Sequence, residues 1–316
     1  MSVEGKPDVV GVGLSTWDLL FRVSKPPDFG ECVDVSSFRQ EGGGPAATAT
    51  VTASRLGTDA CFVGGVGGDY YGKLIVEGLR EHGVDASWVY RREDEDSKLV
   101  VVLVEEGSGE RIFISGTPVV SQEEEKVPSD VIEGSEFLLI DSYCPVMARR
   151  AAVIARGSDT KVLSDLEGVE EADELLPLTD ILIVPESFVL EYESVTDDPV
   201  QASVQLLDRG PNAVVVTRGE EGCIVAYGDR VFRKESFEVD VVDTTGAGDA
   251  FHGAYAVGMM KGWDYERSAE FASAVSAMNC TTLGGRSGLP GFEEVLEFLA
   301  EKLSDWEDIR DRHTKI

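Results

Sequence analysis

The stretch Val239-Asp240-Val241-Val242-Asp243-Thr244-Thr245-Gly246-Ala247-Gly248-Asp249-Ala250-Phe251-His252-Gly253-Ala254 decides the reading of this chain. A β-like run enters a Gly-Ala-Gly turn that opens a helix, so the backbone N–H groups of Gly246, Ala247 and Gly248 can converge at a helix N-terminus. Such a point binds an anion. Small side chains are needed there because a bulky one would hold a phosphate away from the backbone. Asp249 follows in the first helical turn, where a carboxylate also favours the helix dipole; that role alone does not require two glycines and an alanine before it. A carboxylate beside a backbone anion hole suits phosphoryl transfer to an alcohol: the carboxylate accepts the hydroxyl proton while the amides hold the developing charge. No G-x-x-x-x-G-K-[ST] sequence occurs, which excludes a P-loop, and Gly64-Gly65-Val66-Gly67-Gly68 lacks both the lysine and the dinucleotide fingerprint.

Outward from this segment, short apolar runs alternate with helix-like stretches. Val9–Gly13, Cys61–Val66, Phe137–Asp141, Lys161–Asp165, Asp180–Val184 and Ala213–Thr217 read as buried strands. Ala47–Leu56, Pro145–Arg156, Val169–Leu176, Glu186–Glu193 and Pro199–Arg209 read as the intervening helices. This is the pattern of a doubly wound α/β fold, a mainly parallel sheet with helices on both faces. Gly228-Asp229 marks a hairpin between Ile224–Tyr227 and Arg230–Arg233, and helices are expected at Ala247–Lys261, Tyr265–Cys280 and Phe292–Lys302. Two stretches break the rhythm: Val33–Arg39, and Leu99–Glu105 with Arg111–Ser115. Neither leads into a crossover helix, so they are expected to form a small antiparallel β-sheet lid beside the C-terminal strand ends, where open α/β folds bind ligands. The expectation is one domain over residues 1–316, with the lid formed by insertions at about 32–40 and 98–116.

Composition narrows the function from the other side. With 42% hydrophobic residues over 316 positions the chain can bury a substantial core. Its 59 acidic against 28 basic residues, a net charge of −31, disfavour nucleic acid or an anionic membrane as partner. Only 10 of the cations are lysines. This composition resembles that of proteins adapted to high salt, where bulk ions screen self-repulsion; an ordinary acidic cytosolic protein is the other reading. The N-terminal residues show no leader-like pattern and no apolar run spans a bilayer, so a cytoplasmic location is expected. Five scattered cysteines without a CxxC pair read as reduced thiols, and the three histidines, His82, His252 and His313, are too dispersed for a metal centre.

Asp243-Thr244-Thr245-Gly246-Ala247-Gly248-Asp249-Ala250-Phe251 resembles the C-terminal signature of the ribokinase-like (PfkB) carbohydrate kinases. The family's other landmarks recur in order: Gly13 to Asp18, Gly43-Gly44 leading to Ser54-Arg55-Leu56-Gly57, Val66-Gly67-Gly68-Asp69 with Gly72, and Val216-Thr217-Arg218-Gly219 with Gly222. The resemblance implies a ribokinase-like fold with a β-sheet lid, ATP as donor, Mg²⁺, and transfer to a hydroxyl of a sugar or related polyol. By position it implies Asp249 as catalytic base, with Gly246, Ala247 and Gly248 as the anion hole. Asp18 corresponds to an early sugar-binding aspartate, and Gly43 with Gly44 to the diglycine that approaches the substrate and hinges the lid. Thr217, Gly219 and Gly222 correspond to the nucleotide-phosphate loop, with Gly284 in a further loop by the adenine and cation sites. Asp243 and Thr245 sit where K⁺-activated members supply oxygen ligands; a strand-ending Asp bonded to the following turn is the alternative. A homodimer through the lid is also implied.

Departures from the family pattern bear on the substrate. Thr48 stands where many members have Asn, which weakens a ribose assignment. Glu186 occupies the Asn position of the element that orders magnesium waters, and Val189 replaces its carboxylate; Glu186 remains the candidate for holding Mg²⁺ through water. The wording of Gly42–Ala49, Val239–Ala254 and Gly284-Gly285-Arg286 most resembles the sulfofructose-kinase-like branch. A sulfonate or phosphate head group needs converging cations, yet Glu31–Phe38 contributes no Lys or Arg, leaving Arg39, Lys98 and Arg111. A neutral sugar or polyol is therefore favoured. A nucleoside kinase on the same scaffold would stack a base, with Trp17, Phe38 and Tyr143 as aromatic candidates, and a silent sugar-binding homologue would lack the base, which is present here.

Overall fold

The computed structural model describes residues 6–169, 172–192, 196 and 198–313. Among them the strands are β1 (Val9–Val12), β2 (Thr16–Val23), β3 (Val35–Gly43), β4 (Ala60–Gly67), β5 (Asp85–Arg92), β6 (Leu99–Glu105), β7 (Arg111–Ser115), β8 (Phe137–Asp141), β9 (Lys161–Asp165), β10 (Ile181–Pro185), β11 (Ala213–Thr217), β12 (Cys223–Tyr227) and β13 (Arg230–Lys234). Nine of them form one sheet in the order β13-β12-β11-β10-β9-β8-β1-β4-β5. It is parallel from β11 to β5, and the hairpin β12–β13 adds an antiparallel edge.

Both faces of this sheet are covered, which explains why its central strands are unbroken apolar runs. Along each strand alternate residues enter opposite cores. Val9, Leu139 and Ile183 pack against the helices Pro45–Arg55, Tyr70–Glu81, Ala247–Met260, Tyr265–Asn279 and Phe292–Lys302. Val10, Leu138 and Leu182 face the helices Pro145–Ala155, Glu186–Glu191 and Pro199–Leu207 on the other side. The helices Pro45–Arg55 and Ala247–Met260 meet closely because Gly253 has no side chain; a Cβ there would lie 2.2 Å from the Ala49 carbonyl.

Chain order runs from β1 through β4 and β5 on one side and resumes at β8 on the other. The sheet reverses its winding there, and the crevice above the C-terminal ends of β1 and β8 is where this architecture takes ligands. Asp141 ends β8 and fixes that crevice. Its buried carboxylate accepts the N–H groups of Leu14 (2.7 Å), Tyr143 (3.0 Å), Ala46 (3.1 Å) and Cys144 (3.3 Å), tying the exit of β1 to the start of the helix Pro45–Arg55. Burial pushes this carboxyl up to about 6, against the four amides.

The second sheet, in the order β3-β2-β6-β7, stands beside this crevice. Its two expected stretches are both there, with β3 running on to Gly43 and β6–β7 forming the expected hairpin. Its second member was not expected: Thr16–Val23 leaves β1 and pairs antiparallel with β3 and parallel with β6, so the small sheet is mixed and includes residues outside the two insertions. Elsewhere the expected strands and helices appear within a residue or two of their bounds. The helix Tyr70–Glu81, the strand β5 that follows it, and a last helix at Glu307–His313 were not foreseen. The expected helices Val169–Leu176 and Glu186–Glu193 appear as Ala172–Leu175 and Glu186–Glu191, and residues 170, 171 and 193 lie outside the described residues.

Candidate active site

The Gly-Ala-Gly turn does open a helix. Gly246 is its N-cap with φ 71°, a left-handed conformation that disfavours side chains, and a Cβ there would also lie 2.6 Å from the Gly285 carbonyl. Gly248 differs: a Cβ at this position would meet nothing within 4 Å, so the turn faces open space. The Ala247 amide donates to Thr244 O at 3.2 Å, whereas the amides of Gly248 and Asp249 have no protein acceptor among the described residues. The Gly246 amide likewise has no acceptor among the described residues, so Gly246 and Gly248 of the expected trio keep available donors and Asp249 adds a third. These are the orphan amides of a first helical turn, aimed where an anion gains most.

Asp249 lies in that turn, and burial pushes its carboxyl up to about 6, helped by Glu167 and opposed by His252, Arg111 and Arg286. Asp18, in β2, is the second carboxylate of the crevice. Burial raises it to about 7, against a 2.6 Å hydrogen bond from Thr16 Oγ1 and the charge of Arg286; Glu41 and Asp249 add to the rise. Gly43 is the residue that lets Asp18 lie where it does, because a Cβ on Gly43 would sit 2.1 Å from Asp18 Oδ2. Gly44 caps the helix Pro45–Arg55, and Thr48, in its first turns, is buried beneath the crevice.

Arg286 is the residue the sequence reading left without a role. Only 2% exposed, it donates Nε to Thr48 Oγ1 (3.1 Å) and Nη2 to Gly43 O (2.8 Å), while its backbone N–H donates to Glu41 Oε1 (2.8 Å). It therefore fills the space above the short Thr48 side chain, pins the last residue of β3, and brings one positive charge among Asp18, Glu41 and Asp249. The three cations left as candidates for an anionic head group each hydrogen-bond a hydroxyl: Arg39 that of Ser287 (2.6 Å), Lys98 that of Ser115 (2.5 Å) and Arg111 that of Thr244 (2.6 Å). Arg111 thereby ties the β6–β7 hairpin to the loop that leads into the Gly-Ala-Gly turn, where Thr244 also donates to Gly109 O.

Asp243 is fully buried. Its Oδ1 accepts from Thr245 N (2.8 Å) and Thr245 Oγ1 (2.7 Å), and its Oδ2 from Gly284 N (2.8 Å), so it joins the start of the Gly-Ala-Gly turn to the loop after the helix Tyr265–Asn279. Gly284 in turn lies against Glu41 of β3. Glu186 begins its helix at the end of β10 and pairs with Arg218 Nε at 3.0 Å. Thr217 ends β11, Gly219 and Gly222 make the tight turn into β12, and Arg218 N–H donates to Gly222 O at 2.8 Å. This second cluster lies at the same edge of the sheet as the crevice, along from it by the width of β9 and β10. His252 and Asp165 also went unrecognised: both are buried, with Nε2 3.5 Å from Asp165 Oδ1, directly beneath the turn. Among the described residues no cluster of three His, Cys, Asp or Glu forms a metal cage.

Comparison with known proteins agrees with this arrangement. The pfkB family carbohydrate kinase pattern matches residues 6–291. The ribokinase of Bacillus subtilis is 28% identical over 300 residues, covering 92% of this chain and 98% of the relative. An ATP-dependent ribose-1-phosphate kinase of Halopiger xanaduensis is 29% identical over 304 residues, covering 93% and 98%. The structure of Arabidopsis thaliana ribokinase complexed with ribose and ATP superposes with a TM-score of 0.78 at 24% identity, over 93% of this chain and 98% of that one, and shows the shared fold. The chain belongs to the pfkB family of carbohydrate kinases, phosphotransferases with an alcohol group as acceptor, on a ribokinase fold.

Proposed function

We propose that this chain transfers the γ-phosphoryl group of ATP to a hydroxyl of a neutral sugar or polyol, with Asp249 as general base and the amides of the Gly246–Gly248 turn and Asp249 as the anion hole. The observation that carries this is the open space at Gly248 beside orphan amides, with a carboxylate of raised pKa on the same turn. A base with a pKa of about 6 is ionised at neutral pH and still basic enough to take a proton as the hydroxyl attacks. Asp18, beside the diglycine, accepts hydrogen bonds from neighbouring hydroxyls and orients the acceptor. The amides meet the charge that accumulates on the transferred group.

The residues present fit the groups the family uses. Thr217, Gly219 and Gly222 would hold the nucleotide, with Gly284 close to Asp243 on the other side of the turn. Mg²⁺ would be held chiefly by the nucleotide phosphates, with Glu186 through water, since Mg²⁺ commonly takes only one or two protein carboxylates beside phosphate oxygens; it supplies charge neutralisation of the phosphates. A monovalent cation such as K⁺ fits the oxygen-rich junction of Asp243 and Thr245, because the Asn279 Oδ1 atom there is buried without a partner while its Nδ2 donates to Gly285 O and Thr245 O.

The carboxylates of Glu41, Asp18 and Asp249 around Arg286 favour a neutral acceptor over a sulfonate or phosphate. The aromatics that a nucleoside would stack on are dispersed: Trp17 is core, Phe38 packs on Phe21 in the small sheet, and Tyr143 bonds Glu167. The small sheet acts as the lid in this reading, and its exposed Val35, Phe38, Ile112, Phe113 and Ile114 would be covered by a second copy of the chain. No helix among the described residues is long and apolar enough to cross a membrane, and the five free thiols accord with a cytoplasmic location. The test is ADP formation from Mg-ATP over a panel of sugars, polyols, sulfosugars and nucleosides, at low and high KCl, beside Asp249→Asn. Turnover with a sugar that Asp249→Asn abolishes is expected; turnover with nucleosides alone, or none at all, overturns the reading.

A further inference from the structure

His252 lies one helical turn beyond the anion-binding turn, 5% exposed. Its Nδ1 is 2.7 Å from Gly248 O and its Nε2 is 3.0 Å from Ile183 O. Both neighbours are backbone carbonyls, which only accept hydrogen bonds. A bare ring nitrogen at either position would set its lone pair against a carbonyl lone pair, so the geometry asks for a proton on each. A buried imidazolium requires an opposite charge nearby, and Asp165 Oδ1 is 3.5 Å from Nε2.

We propose that His252 is a constitutive buried imidazolium, a positioning residue that clamps the Gly248 peptide to β10 and sets a fixed positive charge behind Asp249. The surroundings are consistent with it. On its own helix His252 faces Asp249; from the sheet it faces Asp165, whose carboxyl is raised by burial to about 8, with His252 drawing it down and Glu167, Asp249 and Asp141 raising it, so the negative charge around the ring is shared among these carboxylates. Arg111 and Arg286 act on Asp249 from the other side of the crevice. Burial alone would lower the ring's proton affinity, but Asp165 and the two carbonyls outweigh it and hold it above the ordinary histidine value. Gly248 O is the carbonyl of the peptide linking Gly248 to Asp249, whose N–H is one of the orphan donors of this turn, so the clamp acts on the anion hole itself. This inference deepens the proposed function and rests on Asp249 being the base.

Two measurements test it. Long-range ¹H–¹⁵N spectra of the labelled full chain, assigned by removing His82 and His313, should show both His252 nitrogens still protonated at about pH 8, far above the ordinary value of about 6.5. In His252→Gln, which keeps one amide donor but no charge, the acid limb of kcat/KM should move up by about one pH unit, as expected when a nearby opposite charge is removed from a carboxylate. A ring with one bare nitrogen, or an unmoved acid limb in a folded His252→Gln chain, overturns the proposal. The spectrum is read without substrate, so it stands apart from the base assignment, whose own failure would show as full activity in Asp249→Asn.

Discussion

Replacing Gly248 by alanine separates the two things a glycine can do at this turn. The backbone there is not left-handed and an added Cβ meets nothing within 4 Å, so no strain or clash opposes the change. Within a helix the substitution removes backbone entropy from the unfolded chain and should stabilise by about 0.5–1 kcal/mol. The melting temperature should then hold or rise by about 2 °C. The same methyl group, however, projects into the space beside the orphan amides of Gly248 and Asp249. Loss of one donor of this kind costs about 10²–10³ in kcat, or roughly 3–4 kcal/mol of transition-state stabilisation. The expected result is a chain at least as stable as the parent whose kcat/KM is lower by about 10²-fold, measured by coupled ADP formation beside a thermal melt. Gly246→Ala is the counter-case, because φ 71° and a Cβ 2.6 Å from Gly285 O should destabilise it by about 1–3 kcal/mol. Should Gly248→Ala keep its kcat/KM within about threefold, the transferred phosphoryl group does not sit over this turn and the anion-hole reasoning fails.

Other consequences follow from the same geometry. Asp249→Asn should fold normally and lose about 10²–10⁴ in kcat; since the raised carboxyl of the parent is protonated and inert as a base at low pH, parental kcat/KM should climb with pH through about 6 and then level, and a flat profile from pH 5 upward would remove Asp249 as the titrating base. Arg286→Met strips the buried partner from Gly43 O and Thr48 Oγ1 and leaves Asp18 and Glu41 without their cation, which should destabilise by about 3 kcal/mol; denaturant unfolding checks this, and an unchanged midpoint would show the guanidinium to be dispensable. Charging the apolar lid face with Ile112→Asp and Phe113→Asp should turn a two-subunit mass in sedimentation equilibrium into one, while a parent that is already monomeric sinks the lid-mediated dimer.

Legibility in this chain tracks whether an element's stability is local. Phe137–Asp141, Lys161–Asp165 and Ala213–Thr217 were readable to the residue because strands covered on both faces carry short, nearly continuous apolar runs, here closed by a polar residue at the C-terminal end. Thr16–Val23 was missed because Asp18 and Arg22 interrupt it: it is a strand only by virtue of β3 and β6, two partners that arrive later in the chain. Asp85–Arg92 fails for the same reason, an edge strand with charge at its start and end that pairs only with β4.

The Gly-Ala-Gly turn was legible for a chemical reason. An anion site made of backbone needs only small residues at fixed spacing before a helix, so its whole requirement is contiguous in sequence. What holds that turn in place is the opposite kind of information: Arg286 meets Glu41 and Gly43 across about 245 residues, Arg111 meets Thr244 across 133, and His252 reaches Ile183 across 69. Each is a single polar side chain in an otherwise ordinary setting, a loop arginine, a strand-edge arginine, a helical histidine, and none has a local pattern to betray it. All three nevertheless bear on one helix terminus: Arg111 from the small sheet, Arg286 from the loop after the helix Tyr265–Asn279, and His252 from the next turn of the same helix, braced on β10. The motif supplies the amides and the carboxylate of the proposed site, and these distant contacts bear on where that carboxylate sits and how tightly it holds its proton. A relative that keeps the turn but changes these three residues should therefore retain phosphoryl transfer while shifting the pH at which Asp249 becomes available.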